Sequence, residues 1–310
     1  MSHAPKPMLP PAANICEVGL RDGFQSEDRI APTAFKVELI NDLVGAGLRE
    51  IQAVSFVHPS WVPQMADAEA VWARLDHDGD VVFSGLVLNT KGLDRARSAG
   101  VKVVDLSIST SDAHSKANTN MSLDDATSQM LDMIDRCLAY GMVARAGLQC
   151  VFGCANGEKT PVDRVVGMAA KIARAGAESV SLADSTGVAN PMQIKSVLEA
   201  VLAEVEDIPL VMHLHNTRGL GLANVTAALE MGVTRFDASI GGMGGCPFIE
   251  GATGNIATED TVYLLESMGV STGIDLERVA TATEKAEAFF DRKFPGTVHR
   301  LMLESGSRIL

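Results

Sequence analysis

No stretch of eighteen apolar residues occurs anywhere in the 310-residue chain, so no transmembrane helix is expected. Positive charge is also in deficit. The 26 Lys and Arg against 39 Asp and Glu give a formal net charge of -13, which suits neither nucleic acid nor an anionic membrane surface. An anionic substrate stays open, because one arginine can dominate a local site. Cysteine is scarce: the five, at 16, 137, 150, 154 and 246, are an odd number in a long chain and do not read as a disulfide framework. A reducing cytoplasm is the expected location. The run CVFGC at 150–154 has one residue too many for a CxxC redox motif, and no second pair follows at zinc-ribbon spacing; both cysteines are expected to pack near a strand end. The opening MSHAPKPMLPPAAN lacks the apolar core of a signal peptide and the arginines of a transit peptide, so residues 1–13 read as a disordered leader. No Pro/Gly/Ser-rich linker divides residues 14–310, which read as one domain.

What is present is ordinary globular material, 46% hydrophobic and 21% charged. Strand-like runs fall at 14–20, 49–56, 81–88, 102–109, 143–152, 179–185, 209–215 and 235–242. Between them lie stretches with apolar residues recurring every three or four positions, such as TAFKVELINDLVGA and PVDRVVGMAAKIARA. A glycine precedes strand after strand: Gly47, Gly100, Gly141, Gly176 and Gly232 each fit the left-handed residue that ends a helix. About eight β-α units argue a parallel sheet, and eight closing on themselves make a (β/α)8 TIM barrel over about 14–273. The alternative, an open doubly wound sheet, is weaker because no GxGxxG follows the first strand. The polar helical pattern over about 275–310 predicts additional C-terminal helices outside the barrel.

The run LVMHLHNT (210–217) puts two of seven histidines two residues apart in an apolar strand. A single histidine there would be a hydrogen-bonded core residue. Two at i and i+2 share a face, and side by side in a core they are hard to satisfy. Pointed at a cavity they are a pair of metal ligands. In a TIM barrel the working face lies at the C-terminal strand ends. Those ends carry Arg21, Asp22 and Gln25 on strand one; Gln52 and Ser55 on strand two; Asp184 on strand six; His213 and His215 on strand seven; and Cys246 and Asn255 beyond strand eight. Asp22, His213, His215 and Asn255 converge from strands that neighbour one another in a closed barrel. This thiolate-free N/O set suits Mg²⁺ or Mn²⁺; zinc is the alternative, although an Asn ligand is unusual for it. Taken alone, Asp22 would read as a turn or capping residue. The run GGMGGCP (241–247) reads either as a mobile surface loop or as a lid carrying Cys246 over the site. Arg21 is either a structural ion pair or an oxyanion stabiliser.

EVGLRDGFQSE (17–27), SFVHPSWVPQMAD (55–67), HLHNTRGLGLAN (213–224) and GGMGGCPFIEGATGNIATED (241–260) resemble the 3-hydroxy-3-methylglutaryl-CoA lyase family of metal-dependent TIM barrels, over roughly 14–290. The resemblance implies retro-Claisen cleavage of a 3-hydroxyacyl-CoA to acetyl-CoA and a keto acid, as in leucine catabolism. It implies the same four metal ligands, an enolate-steadying Arg21, a proton-transferring Cys246, and catalytic roles for Asp184 and His213. Gln25, Gln52, Ser55 and Gly147 are the implied substrate-binding positions. The expected partners are an acyl-CoA and further copies of the chain, as a dimer or tetramer. Three positions depart from the family pattern: Gln52 replaces a glutamate, Gly147 a tyrosine and Asn216 an aspartate. Gln52 and Gly147 together suggest a bulkier homologue of 3-hydroxy-3-methylglutaryl-CoA, or citramalyl-CoA. The competing functions are a condensing acyltransferase of the same superfamily and a non-catalytic binding protein.

Overall fold

A computed structural model describes residues 9–154, 157–205, 208–245 and 253–305. Its strands are β1 Asn14–Glu17, β2 Glu50–Ser55, β3 Val82–Val87, β4 Val103–Ser109, β5 Val143–Gln149, β6 Ser179–Asp184, β7 Leu210–Leu214 and β8 Arg235–Ala238. Each is parallel to the next and β8 pairs with β1, so the sheet closes into the predicted (β/α)8 barrel. The surrounding helices are α1 Thr33–Gly45, α2 Ala68–Trp72, α3 Thr90–Ser98, α4 Asp112–Thr119, α5 Leu123–Ala139, α6 Val162–Arg174, α7 Pro191–Leu202, α8 Gly221–Glu230 and α9 Thr258–Ser267. All five punctuating glycines adopt positive φ, between +68° at Gly141 and +100° at Gly47. Gly47 has a second reason to lack a side chain: a Cβ there would sit 2.5 Å from the Gly273 carbonyl oxygen.

Two further helices, α10 Leu276–Phe290 and α11 Val298–Ser305, lie outside the barrel as expected. Helix α10 packs on α1, with Phe289 stacked on Phe35 at 4.3 Å and Lys285 paired with Glu38 at 2.7 Å. The leader reading does not extend to residues 11–13. Ala13 N–H donates to Ser271 O at 3.0 Å, and Ser271 N–H donates to Pro11 O at 3.0 Å. Residues 1–8 lie outside the described residues.

The apolar core sits between strands and helices, whereas the inside of the barrel is polar. Strand register turns Cys16, Gln52, Ser84, Asp105, Arg145, Gly147, His213, Arg235 and Asp237 inward together. Near the N-terminal strand ends, Arg145 pairs with Glu50 at 2.8 Å and Arg235 with Glu178 at 2.9 Å, which satisfies charges that could not be buried singly.

Strands one and eight are shorter than the apolar runs suggested. Residues Gly19–Gly23 form a π-helical turn and Ile240–Gly242 a 3-10 turn. Both chains leave the sheet around one buried acid. The Glu17 carboxylate accepts from Gly19 N–H at 2.7 Å, Ile240 N–H at 3.0 Å and the Thr258 hydroxyl at 2.6 Å. A second buried acid, Glu259, accepts from Gly241 N–H at 2.9 Å and from the Thr283 hydroxyl.

Burial pushes the Glu17 carboxyl up from 4.5 to about 7, against the lowering effect of its three donors. Burial likewise pushes Glu259 up from 4.5 to about 8. Both folded values lie above the unfolded carboxyl value, so the folded chain keeps protons that the unfolded chain releases. Their stabilisation is complete below about pH 4.5 and is lost as pH rises through 7 to 8. Each group is expected to lower unfolding free energy by about 1.4 kcal/mol per pH unit within its window. Denaturant titrations at pH 5, 6, 7 and 8 test this, with Glu259→Gln expected to show a shallower decline than wild type. Parallel curves for the two proteins would refute the assignment.

Candidate active site

The π-helical turn after β1 places Arg21 and Asp22 over the mouth of the barrel, and β7 carries His213 inward. Asn255 reaches the same place because residues 254–256 run beside the end of β7. Asn216 N–H donates to Gly254 O at 2.8 Å, Ile256 N–H donates to Leu214 O at 2.9 Å, and His215 bridges Asn255. Asn216, one of the three departures, uses its side chain locally: its Oδ1 accepts from Gly221 N–H at 3.0 Å at the start of α8.

One ligand atom each from Asp22, His213 and His215 lies within 4.8 Å of the others. His213 Nε2 faces His215 Nε2 at 3.3 Å. His213 Nδ1 lies 3.1 Å from Asp237 Oδ2, which favours the tautomer that donates from Nδ1 and leaves the Nε2 lone pair for a ligand. Asn255 Nδ2 donates to Asp22 Oδ2 at 2.8 Å and to Met243 O at 3.0 Å, while its buried Oδ1 has no hydrogen-bond partner among the described residues.

The electrostatics prepare Asp22 and His215 for a cation, whereas for His213 burial lowers the imidazole and Asp237 and Asp22 push it up, with a net rise. Burial pushes the Asp22 carboxyl up, but Arg21 first, then His213, His215 and the Asn255 hydrogen bond, hold it well below the usual carboxylate range. Burial, then His213, pushes His215 down to about 4, so its imidazole is neutral at pH 7. An ionised carboxylate, a neutral imidazole and an orphaned amide oxygen fit a divalent cation. Asp22, His213, His215 and Asn255 are therefore brought together as the sequence suggested.

Arg21 is held at two edges: Nε donates to Gln52 Oε1 and Nη1 to Asp22 Oδ1. Gln52 reaches it through a β-bulge. The β2–β3 register shifts between Gln52 and Val54, which puts Gln52 and Ser55 on the same inner face although they are three residues apart. Ser55 is fully buried, and its Oγ accepts from Val57 N–H at 3.3 Å. Gly147 pairs in register with Ser107 and Ser181 on the inner wall. A Cβ there would meet nothing closer than Leu106 O at 3.5 Å, so the backbone does not require glycine and its presence leaves the wall open. Gln25 lies exposed beyond the turn.

The register does not bring Asp184 to the cluster. It pairs with Leu214, on the face opposite His213, and its oxygens accept from Val188 N–H at 2.9 Å and Ala189 N–H at 3.0 Å. It braces the loop after β6, which departs from the catalytic role the resemblance implied. Cys246 lies outside the described residues. The start of its loop is buried rather than a loose surface segment. Met243 is buried, and a Cβ on Gly244 (φ +131°) would lie 2.7 Å from Asn255 Nδ2. Cys150 and Cys154 are buried just after β5, as expected.

Four residues missed by sequence reading shape the site: Glu17, Glu259, Asp105 and Asp237. The inward alternation Val103, Asp105, Ser107, Ser109 in β4 was a usable signal for Asp105, as was Arg235, Asp237 in β8 for Asp237.

A closed barrel with a cation-ready cluster of side chains at its C-terminal mouth defines the class as a metal-dependent (β/α)8 enzyme. Residues 12–285 match the HMGL-like family, and the chain belongs to it, as a carbon–carbon lyase of that family. The hydroxymethylglutaryl-CoA lyase YngG of Bacillus subtilis is 37% identical over 286 residues, which cover 92% of this chain and 96% of the relative. A crystal structure of a Bacillus subtilis HMG-CoA lyase shares a TM-score of 0.92 at 36% identity, covering 95% of this chain and 99% of that one. An HMG-CoA lyase from Acinetobacter baumannii, solved with coenzyme A and 3-methylmalate, shares a TM-score of 0.89 at 35% identity, covering 96% of both chains. Among the described residues no helix is long and apolar enough to cross a membrane.

Proposed function

We propose that the chain cleaves a 3-hydroxy-3-methylglutaryl-CoA-type thioester to acetyl-CoA and a keto acid, with Mg²⁺ or Mn²⁺ held by Asp22, His213, His215 and Asn255. The observation that carries this reading is the convergence of those ligands beside Arg21. When bound, the cation supplies Lewis acidity toward the substrate hydroxyl. The hydroxyl proton passes to water, the C–O bond becomes a carbonyl, and the C2–C3 bond breaks. Its electron pair forms the enolate of acetyl-CoA, so the reaction balances with no co-reactant. Arg21 Nη2, with no protein hydrogen bond among the described residues, is the donor offered to the thioester oxygen as charge develops there. Cys246 protonates C2. Ligation and proton transfer would compete for His213 Nε2, because Nδ1 is engaged by Asp237; ligation is the role the geometry favours.

Citramalyl-CoA is the second reading. The Acinetobacter relative holds 3-methylmalate, an acid with a carboxylate on its hydroxyl-bearing carbon, and here Gly147 leaves the inner wall open while Gln52 is neutral. The test is acetyl-CoA release with Mg²⁺, Mn²⁺ or chelator, comparing kcat/KM for 3-hydroxy-3-methylglutaryl-CoA, a homologue with a longer C3 substituent, and citramalyl-CoA. A bulkier substituent is expected to be preferred by a graded margin worth about 1–3 kcal/mol. No metal-dependent release from any of the three would overturn the lyase reading. A cytoplasmic location and self-association as a dimer or tetramer belong to the same proposal, supported by the cysteine usage and the family resemblance respectively.

Cys246→Ser is expected to keep fold and metal binding but lower turnover about 10²–10⁴-fold, because a hydroxyl is a far weaker acid than a thiol. Unchanged turnover would remove Cys246 from the mechanism.

A further inference from the structure

We propose that Asp105, one layer below the site inside the barrel, is a positioning residue that fixes the Gln52 amide and through it the Arg21 guanidinium, so that Gln52 and Asp105 function as a matched pair. The proposal rests on the reading that gives Arg21 a role in the reaction.

Gln52 stands between a donor and an acceptor. Its Oε1 accepts from Arg21 Nε, and its Nε2 donates to Asp105 Oδ2 at 2.6 Å. A glutamine side chain can be turned over, exchanging its oxygen and its NH₂. The turned form would point NH₂ at the guanidinium and oxygen at the carboxylate, opposing like with like at both ends. Asp105 therefore selects the orientation that Arg21 needs. Asp105 is itself fixed: Ser84 Oγ donates to the same Oδ2 at 2.5 Å. With both donors on one oxygen, that oxygen stays an acceptor even if the other carries a proton. The register holds Asp105 between Leu86 on β3 and Arg145 on β5; burial pushes its carboxyl up, and the Arg145 charge works against that rise.

The pair also explains why position 52 is neutral here. A glutamate at 52 would bring a second carboxylate to Asp105 across the contact that now measures 2.6 Å. Two buried carboxylates that close cannot both stay ionised, and a mobile proton between them replaces the fixed amide donor that now holds the position 52 oxygen toward Arg21. A neutral amide above an acid keeps the acceptor facing Arg21. The two positions are therefore expected to be exchangeable only together.

The test is a four-protein comparison of wild type, Asp105→Leu, Gln52→Glu and Gln52→Glu/Asp105→Leu. It reads kcat and KM separately, thermal stability, and the ¹⁵N Nε–H resonance of Arg21, identified by its loss in Arg21→Lys. Each single variant is expected to lose about 10- to 100-fold in kcat with little change in KM, the range typical of partners that orient a working group without touching substrate. The Arg21 Nε–H signal is expected to shift or broaden in both. The double variant is expected to recover kcat to within about threefold of wild type and to sharpen the signal again, because the carboxylate introduced at position 52 then faces Arg21 with no second carboxylate behind it. Asp105→Asn, which keeps an acceptor oxygen, is expected to lie between wild type and Asp105→Leu. Losses that multiply in the double variant, or an Arg21 signal unchanged in Asp105→Leu, would overturn the pairing. If wild type releases acetyl-CoA from none of the thioesters, the lyase reading fails, and the Arg21 resonance alone decides whether Asp105 positions Gln52.

Discussion

Replacing His215 with alanine is expected to abolish stoichiometric divalent-cation binding and to lower turnover by about 10³-fold or more, while the barrel still folds. The ring lies at the mouth of the barrel, with Nε2 facing His213 Nε2 at 3.3 Å and a buried Nδ1 that has no partner among the described residues. Its removal therefore breaks no protein hydrogen bond on which the strands depend. What goes is one neutral donor of a four-residue set. A Lewis acid acting on the substrate oxygen is worth several kcal/mol, and about 4 kcal/mol corresponds to a thousandfold in rate. Metal content after dialysis and kcat at saturating Mn²⁺ are the measurements. An alanine variant that retains one equivalent of metal would show that His215 is not a ligand.

Arg21→Lys is expected to lower kcat by about 10²–10³-fold, the loss typical of removing a charge-stabilising donor from a reaction centre. The substitution keeps a positive charge, so a purely electrostatic role would survive it. Arg21 does more than carry charge: Nε engages Gln52 while Nη1 engages Asp22, and Nη2 is left for substrate. An ammonium has no rigid fork and cannot hold both partners while offering a third donor in a fixed direction. Metal affinity should fall much less, because a cation remains beside Asp22. The separate changes in kcat, KM and metal dissociation constant distinguish these contributions. A kcat within about twofold of wild type would return Arg21 to a structural ion pair.

Much of this architecture was legible in the chain itself. Eight apolar runs separated by helical periods, with Gly47, Gly100, Gly141, Gly176 and Gly232 in the left-handed conformation, determined a parallel β/α barrel. That followed from local physics: only glycine readily ends a helix with positive φ, and a helix between successive strands is the crossover that a parallel pair needs. The histidine pair was legible for a similar reason, since residues i and i+2 share a face in any strand. Barrel closure then brought Asp22 and Asn255, 233 residues apart, to within 2.8 Å. The tertiary structure alone decided the rest. The bulge in β2 turned Gln52 and Ser55 to the same side, and strand register turned Asp184 away from His213. Asp105 and Asp237 acquired partners on other strands, and Glu17 acquired partners in the turns after β1 and β8 and at the start of α9, at distances that depend on how the closed sheet is staggered. A side chain's face follows from its neighbours in sequence, but its partner follows from register and closure, which no short stretch of sequence contains.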